Sequence, residues 1–306
     1  MELRQFTYVN MVAECGSFTK AAAKLFISQP ALSNYISKIE EDLGVKLFDR
    51  SVNPLILTYA GEQYLKRARA ILIQLEDMNR EMRDITHHIS GRLRLGFPSE
   101  RIIYMLPLIL STFKAQYPDI EVQVTSSPGN KLREGLRRGD IDFVFLPSWN
   151  RQKDIAQVKV SEEELVLVAA KGYLQDHEYL DRESRIVNWR EVAKRPLITL
   201  TKGHALRGCV DILYQNAGIT QDIMLESHSN MLSYRLAAQG LGIAVVPEIT
   251  LELMKGGMDA EVCHLSQTPV TWDVQALYRE GTYLGEVEQA LLELTREVLM
   301  AHRKKL

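Results

Sequence analysis

Two groups of polar residues in this chain have types and spacings suited to chemistry with a partner. The first is Ser28-Gln29-Pro30-Ala31-Leu32-Ser33-Asn34, whose polar members are short hydroxyl and amide side chains without charge. Base edges in the DNA major groove offer a matching mixture of donors and acceptors. Gln and Asn can bond adenine bidentately, and Ser adapts to either role. The second group is dispersed: Ser99 and Glu100; Pro147 and Ser148; Thr199, Thr201, Lys202 and His204; Ser227, His228, Ser229 and Asn230. Hydroxyls, a lysine charge and helix N–H groups together suit a small anion. Glu100 departs from that pattern. An acid beside an anion site is unfavourable unless it pairs with Lys202 or meets an amine on the ligand.

Other chemistries find little support. Cys15, Cys209 and Cys263 are far apart, and no CxxC or Cys/His pair has zinc spacing, so idle thiols and no metal site are expected. No glycine-rich dinucleotide fingerprint follows a strand, and there is no phosphate loop or nucleophile elbow. A cleft enzyme would have only His204, His228 and Glu100 for acid–base work. No catalytic residue and no cofactor are expected.

The elements that position the first group can be read from local signals. Ser28 is a good N-cap, and Pro30 falls in the first turn, where a missing N–H costs nothing. Leu32, Ile36, Ile39 and Leu43 then recur on one helical face, opposite Gln29, Ser33, Asn34 and Ser37, and Gly44 suits the stop. Upstream, Ser17 caps a helix through Ala21, Ala22 and Leu25, with Phe26-Ile27 as the turn. A helix from Leu3 to about Glu14 completes a helix-turn-helix core, whose second helix enters the major groove. Glycine is common in such turns, and Phe26 departs from that. Short β pieces around Leu47–Phe48 and Leu55–Leu57, joined by Ser51–Pro54, form a wing that would set Arg50 and Asn53 near a phosphate strand.

Charge gives no help. The first 60 residues hold six Lys/Arg and six Asp/Glu, and the whole chain carries −2, whereas a basic domain is the usual nucleic-acid footprint. Lys20, Lys24, Lys38, Lys46 and Arg50 could still share a face, and Glu40, Glu41 and Asp42 cluster at the far end of the second helix.

Between Gly61 and Gly91 there is neither Gly nor Pro. Tyr64, Ala68, Ile71, Leu75, Met78, Met82, Ile85 and Ile89 alternate spacings of four and three, the seam of a coiled coil. About 30 residues make a rod of roughly 45 Å. Paired rods would present two recognition helices to two half-sites.

From residue 91, strands alternate with helices: RLRLGFP, a helix from Ile102 to Gln116, DIEVQVTSS, a helix from Asn130 to Arg138, and DIDFVFLP. EELVLVAA, PLITL, DIMLES and GIAVVP continue the series, with helices near Ala205–Asn216 and Met231–Gln239. This implies an α/β domain with mainly parallel sheets and a ligand beyond the strand ends. The length of 306 residues suggests about two domains, and the composition, 46% hydrophobic and 25% charged, is that of a globular protein. There is no apolar run of about 18 residues and no signal-peptide pattern, so a cytoplasmic protein without a membrane partner is expected.

The ordered pattern F..V...GSFTKAAAKLFISQPALSNYISKIEEDLGVKLFDR, followed by LTYAG at Leu57 to Gly61, resembles the N-terminal domain of LysR-type transcriptional regulators. The resemblance implies a winged helix-turn-helix at 1–58, a dimerising linker helix at 59–90 and an effector-binding domain at 91–306. That domain is similar to periplasmic binding proteins: subdomain I at about 91–161 and 268–306, subdomain II at about 162–267, and two crossover strands between them. Gln29, Pro30, Ser33 and Asn34 become base-proximal positions, with Ser37 and Lys38 completing the helix's DNA-binding set. Arg50, Ser51 and Asn53 become wing positions, although the family often carries more positive charge there. Ser99, Thr201, Lys202, His204, the Ser227–Asn230 loop and Pro247 match effector positions; Glu100, Pro147 and Ser148 join them from the strand ends. The effector expected is a small organic anion or zwitterion. The family's peroxide-sensing branch places a reactive cysteine where Ala205 stands in GHALRG, and Cys209 lies four residues later, so that chemistry is not expected. The partners implied are promoter DNA, a small effector, and further copies of the chain as dimer or tetramer. The competing readings are a solute-binding or scaffold protein with a DNA-binding head, and the cleft enzyme.

Overall fold

The computed structural model describes residues 2–86, 90–148, 151–256 and 259–303. The chain divides into two compact units, residues 1–88 and 89–306.

In the first unit, α1 (Leu3–Cys15), α2 (Phe18–Lys24) and α3 (Gln29–Leu43) close around Val9, Val12, Ala21, Ala22, Leu32 and Ile36, each at most 2% exposed. Ala21 and Ala22 are small enough for α2 to lie close to its neighbours. Ser17 caps α2 by accepting the Lys20 N–H at 3.4 Å. In the turn, Phe26 takes φ of +55°, the left-handed backbone that glycine more often supplies, and its ring is 95% exposed. The wing is one antiparallel pair, β1 (Phe48–Asp49) and β2 (Ile56–Leu57), one residue further along than expected at its first strand.

Thr58 caps α4 (Tyr59–Ile85) by accepting the Gly61 N–H at 3.0 Å. Its 27 residues make a rod of about 40 Å. The structure divides the expected seam. Tyr64 and Ala68 pack inside their own domain: the Tyr64 ring lies 6.0 Å from Phe6, and Ala68 is 1% exposed. Three helices alone leave the face of α1 open, and the first turns of α4 cover it. Leu75 is half-buried, whereas Ile71, Met78, Met82 and Ile85 are exposed. Ile89 lies outside the described residues.

The second unit is built on two sheets that share one strand. The first contains β3 (Gly91–Phe97), β4 (Ile120–Ser126) and β5 (Phe143–Pro147), with α5 (Ser99–Gln116) and α6 (Gly129–Arg138) between them. The shared strand is β6 (Ile155–Ala169). Then come β7 (Tyr179–Asp181), β8 (Ile186–Val187), α7 (Trp189–Val192), β9 (Leu197–Leu200), α8 (Ala205–Ala217), β10 (Ile223–Ser227), α9 (Asn230–Ala238), β11 (Ile243–Pro247), α10 (Ile249–Leu253) and β12 (Glu261–His264). The chain returns through β13 (Thr271–Arg279) and ends in α11 (Glu286–Arg303).

β6 pairs with β13 from Ile155 to Glu164, then with β11 and β12 from Leu165 to Ala169. The crossing from one sheet to the other falls between Glu164 and Leu165. The expectation of mainly parallel sheets is corrected here. β3 is parallel to β4 and β5, and β9 to β10 and β11, but the crossover strands run antiparallel to their neighbours. Each subdomain has its own core, one around Leu93, Phe97, Met105, Phe143 and Phe145, the other around Leu167, Val187, Leu197, Val210 and Tyr214.

Candidate nucleic-acid interface and effector cleft

The Ser28 hydroxyl accepts the Ala31 N–H at 3.3 Å and fixes the start of α3. Burial of Leu32, Ile36 and Ile39 orients the helix, which leaves Gln29, Pro30, Asn34 and Lys38 exposed and Ser33 and Ser37 half-buried. The polar run is therefore offered outward at the front of the helix.

Arg50 stays exposed just after the first wing strand. Its guanidinium turns back onto α3, donating to Ser33 Oγ at 3.3 Å, Ser37 Oγ at 3.1 Å and Glu40 Oε2 at 3.3 Å. It also lies 4.9 Å over the Phe18 ring. The cause is Glu40, which is 2% exposed. Its Oε1 accepts the N–H groups of Leu47 at 2.9 Å and Phe48 at 3.3 Å, and its Oε2 accepts Lys46 Nζ at 3.1 Å. A buried carboxylate needs such partners. Burial alone would raise the Glu40 pKa, but the Leu47 N–H, Lys46, the Phe48 N–H and the Arg50 charge outweigh it and hold it below the ordinary value. Ser51 donates its hydroxyl to Asp49 at 2.6 Å, and Asn53 is exposed in the wing turn.

Sequence reasoning missed Glu40 as the clasp between wing and helix, placing it only in an acidic cluster. One signal was available: Glu40 lies four residues beyond Ile36 and so falls on the buried stripe. Phe18, as the platform under Arg50, had no local signal.

In the second unit the strand ends gather part of the predicted polar set. Thr201 Oγ1 and His228 Nδ1 lie 3.0 Å apart, and the Thr201 N–H bonds Ser227 O at 2.9 Å. Ser126 Oγ donates to Ser99 Oγ at 3.4 Å. His204, at the front of α8, has its pKa lowered by partial desolvation; the Glu100 charge opposes the shift and His228 adds to it, so these three groups share one neighbourhood. Lys202 is exposed, and among the described residues no ion pair joins it to Glu100. Four more of the expected residues are buried at strand ends. Pro147 and Pro247 are buried in β5 and β11. The buried Ser148 hydroxyl meets Arg133 Nη2 at 3.5 Å, and the buried Ser227 hydroxyl bonds Ser229 O at 3.0 Å.

Glu100 has a different partner from either expected. From the first turn of α5 its carboxylate crosses to the front of α9, accepting the Ser229 hydroxyl at 2.6 Å and the N–H groups of Asn230 at 3.1 Å and Met231 at 3.2 Å. The next residue, Arg101, makes a bidentate pair with Glu163 on β6, at 2.6 and 3.0 Å, and the Trp272 indole donates to the same carboxylate at 2.9 Å. Arg101 and Glu163 are 7% and 6% exposed.

Burial pushes the Cys209 thiol up to about 11 and the Cys263 thiol up to about 12. Both are poor thiolate formers. Among the described residues no His, Cys, Asp or Glu cluster could hold a metal ion, and no helix is long and apolar enough to cross a membrane.

The model of bacterial regulatory helix-turn-helix proteins of the lysR family matches residues 3–62, and that of the LysR substrate binding domain matches residues 86–300. The chain belongs to the LysR family of transcriptional regulators. This LysR-family chain is 33% identical, over 249 residues, to the uncharacterized HTH-type transcriptional regulator YybE of Bacillus subtilis strain 168, covering 81% of this chain and 83% of that one. It is 26% identical to the DNA-binding transcriptional dual regulator OxyR of Escherichia coli K12, over 100% of this chain and 98% of that protein. Among solved structures, a full-length OxyR variant from Pseudomonas aeruginosa shares its fold at a TM-score of 0.76 and 22% identity, with 98% and 94% of the two chains covered. Full-length CbnR, in complex with its target DNA, does so at 0.64 and 24%, with 97% and 100% covered.

Proposed function

We propose that this LysR-family regulator reads promoter DNA through the front of α3, self-associates through the exposed half of α4, and responds to a small organic anion or zwitterion bound between the two α/β subdomains. The observation that carries the reading is the outward presentation of Gln29, Pro30 and Asn34 by a capped helix whose opposite face is buried. CbnR, of the same fold, is solved on its target DNA, which supports the same use of the head here. In the cleft, Ser99, Thr201, Lys202, His204, His228 and Asn230 supply hydroxyl, amide, imidazole and ammonium groups near the fronts of α8 and α9. Ligand there shifts the equilibrium between subdomain arrangements by its differential affinity for them. In a dimer or tetramer that shift changes the spacing of the DNA-binding heads.

Peroxide sensing through a thiol is disfavoured by Ala205 at the family's reactive position and by the raised pKa of Cys209. Fluorescence anisotropy on the promoter region beside its own gene tests the DNA reading. Binding at least tenfold tighter than to scrambled duplex of equal length is expected at fixed salt; equal affinities would reject it. A thermal-shift screen of small metabolites, with footprinting of the best hit, tests the effector reading.

A further inference from the structure

The first turn of α9 needs three acceptors, and the chain itself provides all three. The Leu232 N–H goes to Ser229 Oγ at 3.1 Å, while the Asn230 and Met231 N–H groups go to Glu100. The Ser229 hydroxyl hydrogen also points at Glu100. A helix front with free N–H groups is where a small anion binds best, because donors and the positive end of the dipole coincide there. Here the anion present is a side chain 130 residues distant in sequence, carried by the other subdomain. Beside it, Asn230 Oδ1 is shut away from solvent with no donor in reach among the described residues, an acceptor that a ligand's hydroxyl or ammonium group would satisfy.

We propose that Glu100 is a tethered stand-in for the effector's carboxylate: it fills the anion subsite at the front of α9, holds the two subdomains together without ligand, and is displaced by the effector's acid group. The proposal rests on the cleft being the effector site. It names the ligand class as a carboxylate with a neighbouring hydrogen-bond donor, and it specifies the signal. Glu100 and Arg101 are adjacent in the same helical turn. Displacement of Glu100 therefore frees that turn beside the residue held bidentately to Glu163, on the strand shared by both sheets. The zwitterion's amine would then meet Asn230 rather than form an ion pair with a seated Glu100.

Truncation by Glu100→Ala removes a fragment equivalent to acetate, which gives a direct test on the full-length protein. Amide hydrogen exchange at Asn230 and Met231 is followed while sodium acetate is titrated, with acetamide and matched sodium chloride as controls. The expected result has three parts. The two amides exchange slowly in wild type and fast in Glu100→Ala. Acetate restores protection in the variant at a concentration about tenfold or more below any effect on wild type, because no tethered competitor opposes it. Acetamide does nothing. Glu100→Gln, which keeps the side chain's size, is expected to lie between the two proteins and guards against a folding defect in the alanine variant. Equal acetate dependence in wild type and variant, equal rescue by acetamide, or no rescue would overturn the proposal. A metabolite that stabilises wild type, loses its effect in Thr201→Val and is indifferent to Glu100→Ala would keep the cleft and remove the latch. Failure of every metabolite in the screen to depend on Thr201 would reject the cleft itself.

Discussion

Asn34 and Glu40 sit six residues apart on α3 and do opposite work. Asn34 is exposed on the presenting face, and an amide there can bond an adenine edge at two points. Asn34→Ala is expected to weaken promoter binding by about 1–3 kcal/mol, with binding to random duplex nearly unchanged. Anisotropy titrations on both duplexes check this, and equal loss on both would contradict base readout. Glu40 never faces a partner; its carboxylate clasps the wing to the helix. In Glu40→Gln the amide oxygen keeps both backbone N–H groups while the new N–H₂ faces the Lys46 and Arg50 cations in place of an acceptor, at a cost of about 1–3 kcal/mol to the head domain. The same clasp makes the head acid-sensitive. The Glu40 pKa is lowered on folding, so the unfolded chain binds the extra proton first as pH falls. Its stabilisation is complete above the ordinary glutamate pKa of about 4.3 and is lost as pH drops through the lower folded value. Thermal unfolding of wild type and Glu40→Gln across pH 3–7 should show a gap that is constant at the top of that range and narrows at the bottom.

Elements add constraints that single residues do not reveal. α4 begins so close to the wing that a Cβ on Gly61 would lie 2.0 Å from Leu47 O. Since that atom is backbone, Gly61→Ala is expected to push the wing off the helix and to lower the head domain's melting temperature by several degrees. Further along α4, Met78 and Met82 are apolar side chains left exposed among the described residues. Met78→Glu with Met82→Glu is expected to shift self-association toward monomer in sedimentation equilibrium, with helicity retained. An unchanged assembly would remove α4 as the interface.

The same elements show what a linear reading can reach. α2 and α3 were legible because caps, Pro30 and the spacing of Leu32, Ile36 and Ile39 are all local signals. The first two seam positions read correctly as apolar, yet their partner proved to be α1, because a heptad does not say whose helix covers it. Arg50, though exposed, folds back toward Glu40, a buried residue ten positions earlier that no local signal ties to the wing. The contact of Glu100 with α9 spans about 130 residues and had no local signature. β13 and α11 went unassigned, and with them the antiparallel direction of the crossover strands.

At the scale of the whole molecule, the ion pair of Arg101 and Glu163 stands where a strand passes between the two sheets. Removing one member leaves a buried charge unpaired. Arg101→Met is expected to cost about 3–5 kcal/mol in denaturant unfolding of the full chain, and Arg101→Met with Glu163→Gln clearly less. If the double variant instead costs the sum of Arg101→Met and Glu163→Gln measured singly, the two side chains act independently and the pair is not coupled.

The continuity of β6 across both sheets has a bearing on how such a sensor can change its specificity. Residues 165–270, from the second half of β6 to the residue before β13, form an insertion into the sheet that also holds β3, β4 and β5, so no single crossover point separates the halves. A chimera that exchanges the distal lobe between relatives needs two coordinated junctions, one at 164/165 and one at 270/271. Homologous recombination with a single breakpoint would instead splice half a sheet onto a foreign edge.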